Sequence, residues 1–119
     1  MRDEPRILIV DADPALFGLL EEWLAPQGWQ AVQEAAAGER FDLVLVDVAF
    51  PRQGGIDVLK RVLVEHAATP VLALSSGFFE HVESGGAVAH ALGVAAVLPK
   101  PFNRDILTAA VRQLLPSAA

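Results

Sequence analysis

A length of 119 residues suits one domain with one hydrophobic core, and 53% hydrophobic with 20% charged residues excludes the composition of a disordered chain. A formal net charge of −6 argues against nucleic-acid binding, which depends on Lys and Arg side chains that neutralise phosphates. The apolar runs are far shorter than the ~20 residues that a membrane-spanning helix needs. The chain has no cysteine, which excludes disulfides and thiol chemistry. From these properties together we expect one domain over residues 1–119, located in the cytoplasm, that binds neither nucleic acid nor a membrane.

The N-terminal third predicts a strand followed by a helix. Arg6 to Val10 is apolar without polar alternation, as expected for a strand that is covered on both faces. Asp13 can cap a helix that begins at Pro14 and ends near Pro26 and Gly28. The apolar stripe of this helix consists of Leu16, Leu19, Leu20, Trp23 and Leu24.

The second and third strands are predicted over 29–32 and 41–46, with a short crossover between them. Gln33 to Ala37 are good helix formers, and Gly38 is a suitable helix end. Parallel strands are usually joined by a dozen or more residues, whereas about ten remain here. We therefore expect a shortened second helix.

The rest of the chain continues the alternation of helices and strands that is typical of a parallel sheet. An amphipathic helix is predicted over 56–64, a strand over 71–74, a helix of small residues over 87–92 and a strand over 94–98. Asn103 can cap the last helix. The apolar stripe of that helix consists of Ile106, Leu107, Ala110, Val111 and Leu114.

Four polar residues stand directly after a predicted strand or close to its end, namely Asp11, Asp47, Ser75 and Lys100. Ligands of a doubly wound parallel sheet bind at the carboxyl ends of its strands, so we expect these side chains to converge. Two neighbouring carboxylates repel each other unless a cation intervenes, and Mg²⁺ prefers oxygen ligands. The Lys100 ammonium and the Ser75 hydroxyl suit an anion attached to a carboxylate.

These strand ends resemble the signatures of the response regulator receiver family, and the resemblance covers nearly the whole chain. It is carried by Ile7 to Asp11, Phe41 to Asp47, Thr69 to Ser75, Leu98 to Phe102, Pro51 and Gly55 to Leu59. The resemblance implies a flavodoxin-like, doubly wound α/β fold with five parallel strands in the order 2-1-3-4-5. It also implies a single receiver domain of bacterial two-component signalling that switches a protein-interaction surface.

The same resemblance implies roles for individual residues. Asp47 would accept a phosphoryl group, assisted by Lys100 and Ser75, with chemistry limited to self-phosphorylation and autodephosphorylation. Mg²⁺ would be held by Asp11, Asp47 and the Ala49 carbonyl. The implied partners are a sensor histidine kinase or phosphotransfer protein and a downstream protein target or fused output domain, and a homodimer stays open.

Two positions depart from the family pattern. Ala12 stands where a second acidic residue is usual, which predicts a weakened Mg²⁺ site; Asp13 either compensates as a ligand or caps the helix. Val97 stands where an aromatic switch residue is usual, and the Lys100-Pro101 peptide bond is expected to be cis.

A pseudo-receiver that binds partners without phosphorylation is the alternative function. A flavodoxin-like cofactor binder would rest on fold analogy alone.

Overall fold

The computed structural model describes residues 4–10, 12–33, 40–47, 55–75 and 93–115. The strands in these ranges are β1 (Arg6–Val10), β2 (Gln30–Val32), β3 (Leu43–Asp47), β4 (Val71–Ser75) and β5 (Ala96–Pro99). The helices are α1 (Pro14–Leu24), α2 (Gly55–Glu65) and α3 (Arg104–Leu114), and a short 3-10 helix (Ala25–Gln27) follows α1.

The five strands form one parallel sheet in the order β2-β1-β3-β4-β5, which confirms the predicted α/β fold class. Val10 at the end of β1 pairs with Val46, the residue before Asp47. Ser75 at the end of β4 pairs with Pro99 at the end of β5. The carboxyl ends of these four strands therefore meet at one edge of the sheet, where a parallel arrangement places its ligands.

The sheet buries apolar side chains on both faces because successive residues of a strand point to opposite sides. One face packs against α1 and α3, and its strand residues include Ile7, Ile9, Leu43, Leu45, Leu72 and Leu74. The other face packs against α2, and its strand residues include Leu8, Val44, Val46, Val71 and Ala73. Burial on both faces explains why the strands show continuous apolar runs in the sequence.

The predicted apolar stripes of the first and last helices were each too wide by one residue. Leu19 is 39% exposed and Ile106 is 48% exposed, whereas Leu20 and Leu107 are fully buried. Each exposed residue precedes its buried neighbour by about 100° around the helix axis, so it leaves the arc that faces the sheet. The half-buried Phe17 packs against the core of this face and was absent from the prediction.

The strand boundaries differ slightly from the predicted ones. The third strand runs over Leu43–Asp47 instead of 41–46. Asp42, directly before it, accepts a hydrogen bond from the Arg6 N–H through Oδ2 at 2.8 Å, and its own N–H donates to the Arg6 carbonyl at 2.8 Å. The fifth strand begins at Ala96 rather than Val94. The helices predicted over 33–37 and 87–92 lie outside the described residues, wholly or in large part. None of the helices in the described ranges is both long enough and apolar enough to cross a membrane.

Candidate functional site

Asp47 and Lys100 meet at the carboxyl edge of the sheet. Asp47 is the last residue of β3, after four buried residues, and Lys100 directly follows β5. Because both strands run in the same direction on either side of β4, they bring the two side chains to the same edge. The Lys100 Nζ lies 2.6 Å from the Asp47 Oδ1.

The ion pair is sheltered but keeps some access to solvent. The side chain of Lys100 is 29% exposed and that of Asp47 is 19% exposed. The Asp47 Oδ1 atom is itself buried and accepts no hydrogen bond from the described residues, since the short contact with Lys100 lacks hydrogen-bond angles. The ammonium therefore balances the charge of the carboxylate by direct contact.

The other predicted site residues are located only in part. Ser75 ends β4, and its backbone pairs with Pro99, the residue before Lys100. Its backbone therefore lies at the same edge as the ion pair, whereas its side chain is not among the described atoms. Asp11 and Ala49, the other two predicted metal ligands, lie outside the described residues.

Asp13 is committed to the backbone of α1. Its Oδ1 accepts a hydrogen bond from the Leu16 N–H at 2.7 Å, and its carbonyl accepts one from the Phe17 N–H at 2.9 Å. The carboxylate thus satisfies a donor that the first turn of the helix would otherwise leave unpaired. Of the two predicted roles for Asp13, the structure bears out the helix cap. The neighbouring Ala12 is half-buried against the core of the α1 and α3 face.

The segment that carries Lys100 is anchored on both sides. The Lys100-Pro101 peptide bond is cis, as the resemblance implies, and Asn103 caps α3 through its side-chain oxygen. The ring of Phe102 packs edge-on against Trp23 of α1, with 6.3 Å between the ring centroids. The sequence pattern placed Trp23 in the apolar stripe of α1 but did not predict its contact with Phe102, because contact between distant segments leaves no local signal.

Val97 lies within β5, an outer strand of the sheet, and not at the carboxyl end of that strand. The side chain is fully buried in the core of the α2 face, and its backbone pairs with that of Ala73. A valine at this position fills space but has neither a ring to rotate nor a hydroxyl to donate. Any output of the site must therefore be transmitted without an aromatic side chain at residue 97.

The chemistry of Asp47 fits a hard divalent cation. Its buried anionic oxygen lacks a hydrogen-bond donor among the described residues, and carboxylate oxygens are the ligands that Mg²⁺ prefers. The described part of the chain holds no cluster of three or more His, Cys, Asp or Glu side chains suited to a metal ion.

Comparisons with known proteins agree with this geometry. A family model described as the response regulator receiver domain matches residues 7–112. The transcriptional regulatory protein CpxR of Klebsiella pneumoniae is 36% identical over 117 residues, which are 92% of this chain and 49% of the relative. CpxR of Escherichia coli is likewise 36% identical, over 118 residues. The chain spans about half the length of these curated relatives.

The fold also matches solved structures. A response regulator from Thermotoga maritima superposes with a TM-score of 0.75 at 22% identity, covering 96% of this chain and 99% of that one. At this level of identity the match supports the fold and carries no argument about individual residues.

Proposed function

Because this chain belongs to the response regulator receiver domain family, whose members accept a phosphoryl group in two-component signalling, we propose that Asp47 is its phosphoacceptor. The observation that carries the proposal is the approach of the Lys100 Nζ to within 2.6 Å of the Asp47 Oδ1. A carboxylate at the carboxyl edge of a parallel sheet, beside a fixed positive charge, is suited to in-line attack on an anionic phosphoryl donor.

The proposed reaction uses the two charges in different ways. An Asp47 carboxylate oxygen attacks the phosphorus of a phosphohistidine, the phosphorus–nitrogen bond breaks, and its electron pair leaves with the imidazole nitrogen. An acyl phosphate on Asp47 is the product. The Lys100 ammonium compensates the charge of the phosphoryl oxygens, and the Ser75 hydroxyl donates a hydrogen bond to one of them.

Members of this family generally use Mg²⁺ in phosphorylation, and we propose that Asp11, Asp47 and the Ala49 carbonyl hold the ion in this chain. When bound, the ion supplies positive charge that stabilises the phosphoryl oxygens during transfer. The commitment of Asp13 to the cap of α1 supports the proposal that Ala12 leaves the site short of one ligand.

Receiver domains of this family act with histidine kinases or phosphotransfer proteins and with output domains. For this chain we propose one receiver domain over residues 1–119, in the cytoplasm, that takes its phosphoryl group from such a kinase and controls a protein target or a fused output domain. The pseudo-receiver alternative is not favoured, since the chain keeps the charged pair that phosphoryl acceptance needs.

The decisive experiment is labelling with acetyl phosphate in the presence of Mg²⁺, followed by intact-mass spectrometry. We expect the wild type to gain one phosphoryl group and Asp47→Asn to stay unlabelled, because an amide is a poor nucleophile. Asp42→Asn is the matched control: Asp42 lies before β3, at the opposite end of that strand from Asp47, and an amide oxygen still accepts the Arg6 N–H. Equal labelling of Asp47→Asn and wild type would contradict the assignment.

A further inference from the structure

A contact between two aromatic rings joins α1 to the segment that carries Lys100. The rings of Trp23 and Phe102 meet edge-on, with 6.3 Å between their centroids and 67° between their planes. Both side chains are half-buried and pack against the core of the α1 and α3 face. Because Phe102 stands two residues after Lys100, the contact restrains the backbone from which the lysine side chain projects.

The segment from Lys100 to Asn103 is also attached at both of its ends. Pro99, the residue before it, pairs with Ser75 in the sheet. At the other end, the Asn103 Oδ1 accepts a hydrogen bond from the Ile106 N–H at 2.8 Å. The ring of Phe102 adds an attachment between these two points, and this attachment leads to a different element, α1.

On another side of Trp23, a cleft of about 510 Å³ opens between α1 and α3. Its lining consists of Glu22, Trp23, Pro26, Gln27, Arg104, Asp105 and Thr108. The cleft is open to solvent, so no side chain of α3 fills the space beside the indole there. A smaller side chain at position 23 would therefore widen the cleft and leave Phe102 without its aromatic neighbour.

The position of the Lys100 ammonium matters because a fixed charge stabilises a transition state better than one that must first be ordered. A lysine has a flexible four-carbon stem, and the side chain of Lys100 is 29% exposed, so its surroundings restrict it only in part. Fixing the backbone at its base reduces the range that the ammonium can reach. Misplacement of a reacting group by about 1 Å can slow a reaction by about 100-fold.

We propose that Trp23 is a positioning residue for phosphoryl transfer, whose contact with Phe102 holds the Lys100 ammonium opposite Asp47. The proposal rests on the proposed function of Asp47 and adds α1 to the parts of the fold that determine the rate. Trp23 acts through Phe102 and the backbone that follows β5, not by touching the phosphoryl group.

The first test compares phosphorylation by acetyl phosphate at saturating Mg²⁺, at a temperature where circular dichroism shows each protein to be folded. Trp23→Leu is expected to slow labelling about tenfold, a partial misplacement, and Trp23→Phe to stay within about twofold of wild type because it keeps a ring. Trp29→Leu is the matched control, since Trp29 packs in the same core but its ring faces the Arg112 guanidinium at 5.7 Å. Its labelling rate is expected to equal that of wild type.

Mg²⁺ affinity separates positioning from general damage to the fold. Calorimetric titration without a phosphoryl donor is expected to give Trp23→Leu the affinity of wild type within about twofold, because the ligands proposed for the ion lie on other segments. Equal losses of affinity and labelling rate would show that Trp23 is merely structural and would overturn the proposal.

A double-mutant cycle tests whether Trp23 acts through Phe102. Phe102→Leu is expected to slow labelling about tenfold, and the double variant with Trp23→Leu to be no slower than either single variant, because both changes remove the same contact. A double variant slowed by the product of the two single effects, about 100-fold, would show independent actions and contradict the proposal.

NMR of the wild type requires no substitution at either ring. In nitrogen-15 spectra, beryllofluoride with Mg²⁺ is expected to shift the indole N–H signal of Trp23 and to leave that of Trp29 in place, while fluorine-19 spectra show whether beryllofluoride is bound. Bound beryllofluoride with an unmoved Trp23 signal, or labelling of Trp23→Leu at the wild-type rate, would overturn the proposal alone. A wild type that neither binds beryllofluoride nor is labelled would contradict the proposed function of Asp47, and this proposal with it.

Discussion

Asp13 and Asp47 illustrate how surroundings assign different tasks to the same side chain. The exposed carboxylate of Asp13 accepts a backbone N–H at the start of α1. The carboxylate of Asp47, 19% exposed, faces an ammonium and, among the described residues, has an oxygen without a hydrogen-bond donor. A carboxylate held by the backbone contributes stability, whereas one that keeps free lone pairs beside a cation is available for chemistry.

At the residue scale, we proposed that Ala12 leaves the Mg²⁺ site short of one ligand, so an acidic side chain at position 12 should strengthen Mg²⁺ binding. Ala12→Asp is expected to raise Mg²⁺ affinity about tenfold, because a third carboxylate near the ion, beside those of Asp11 and Asp47, adds attraction in a partly shielded site. Calorimetric titration measures the change.

Asp13→Ala separates the cap from the metal site. This variant is expected to lower the free energy of unfolding by about 1 kcal/mol and to leave Mg²⁺ affinity unchanged, since it removes a helix cap only. A fall in Mg²⁺ affinity for Asp13→Ala would show that Asp13 serves as a ligand.

At the scale of elements, two glycines near the start of the fold have different backbone conformations, one inside α1 and one directly after the 3-10 helix. Gly18 lies inside α1, whereas Gly28 follows the 3-10 helix with φ of +83°. A Cβ at either position would meet no atom within 4 Å. Any effect of adding a methyl group therefore reports on the backbone and not on packing.

Alanine substitutions at these two glycines are expected to act in opposite directions. Gly18→Ala is expected to raise the free energy of unfolding by about 1 kcal/mol, because alanine restricts the unfolded chain and favours the helix. Gly28→Ala is expected to lower it by about 1 kcal/mol, because a Cβ disfavours positive φ. Urea denaturation followed by circular dichroism measures both, and shifts of the same sign would contradict the two conformations.

For the whole molecule, the sheet joins two cores into one structure. Val44 and Leu45 are neighbours on β3, yet Val44 is buried on the α2 face and Leu45 on the face of α1 and α3. Both tryptophans, Trp23 and Trp29, pack on the latter face. Tryptophan fluorescence therefore reports on one face while circular dichroism reports on all elements.

Val44→Ala is expected to lower the free energy of unfolding by about 2 kcal/mol, since it removes buried methyl groups and leaves a cavity. Fluorescence and circular dichroism are expected to follow the same urea transition, because the damaged strand also supports the opposite face. Val64→Ala is the control: Val64 is 79% exposed, so a change below about 0.5 kcal/mol is expected. Separate transitions for the two probes would show that the faces unfold independently.

Local patterns were sufficient to predict most of the elements. The predicted and observed bounds of β1 agree at Arg6–Val10, and α1 begins at Pro14 after the Asp13 cap as expected. Strand periodicity and helix caps depend on neighbouring residues, so the sequence carries them directly. The width of a buried helix face depends instead on what packs against it, which is why Leu19 and Ile106 were wrongly placed in the buried stripes.

The residue pattern by itself determined the α/β class of the fold, its parallel sheet and the polar residues at the strand ends, whereas the order of the strands was implied by the resemblance to the receiver family. Only the tertiary structure decided that the Lys100 ammonium meets one particular oxygen of Asp47, and that Asp13 is held by α1. Strand order brings residues near each other, but the contact between two side chains also depends on register, backbone geometry and competing hydrogen bonds. Those are properties of the folded chain, because they arise between segments that are far apart in sequence.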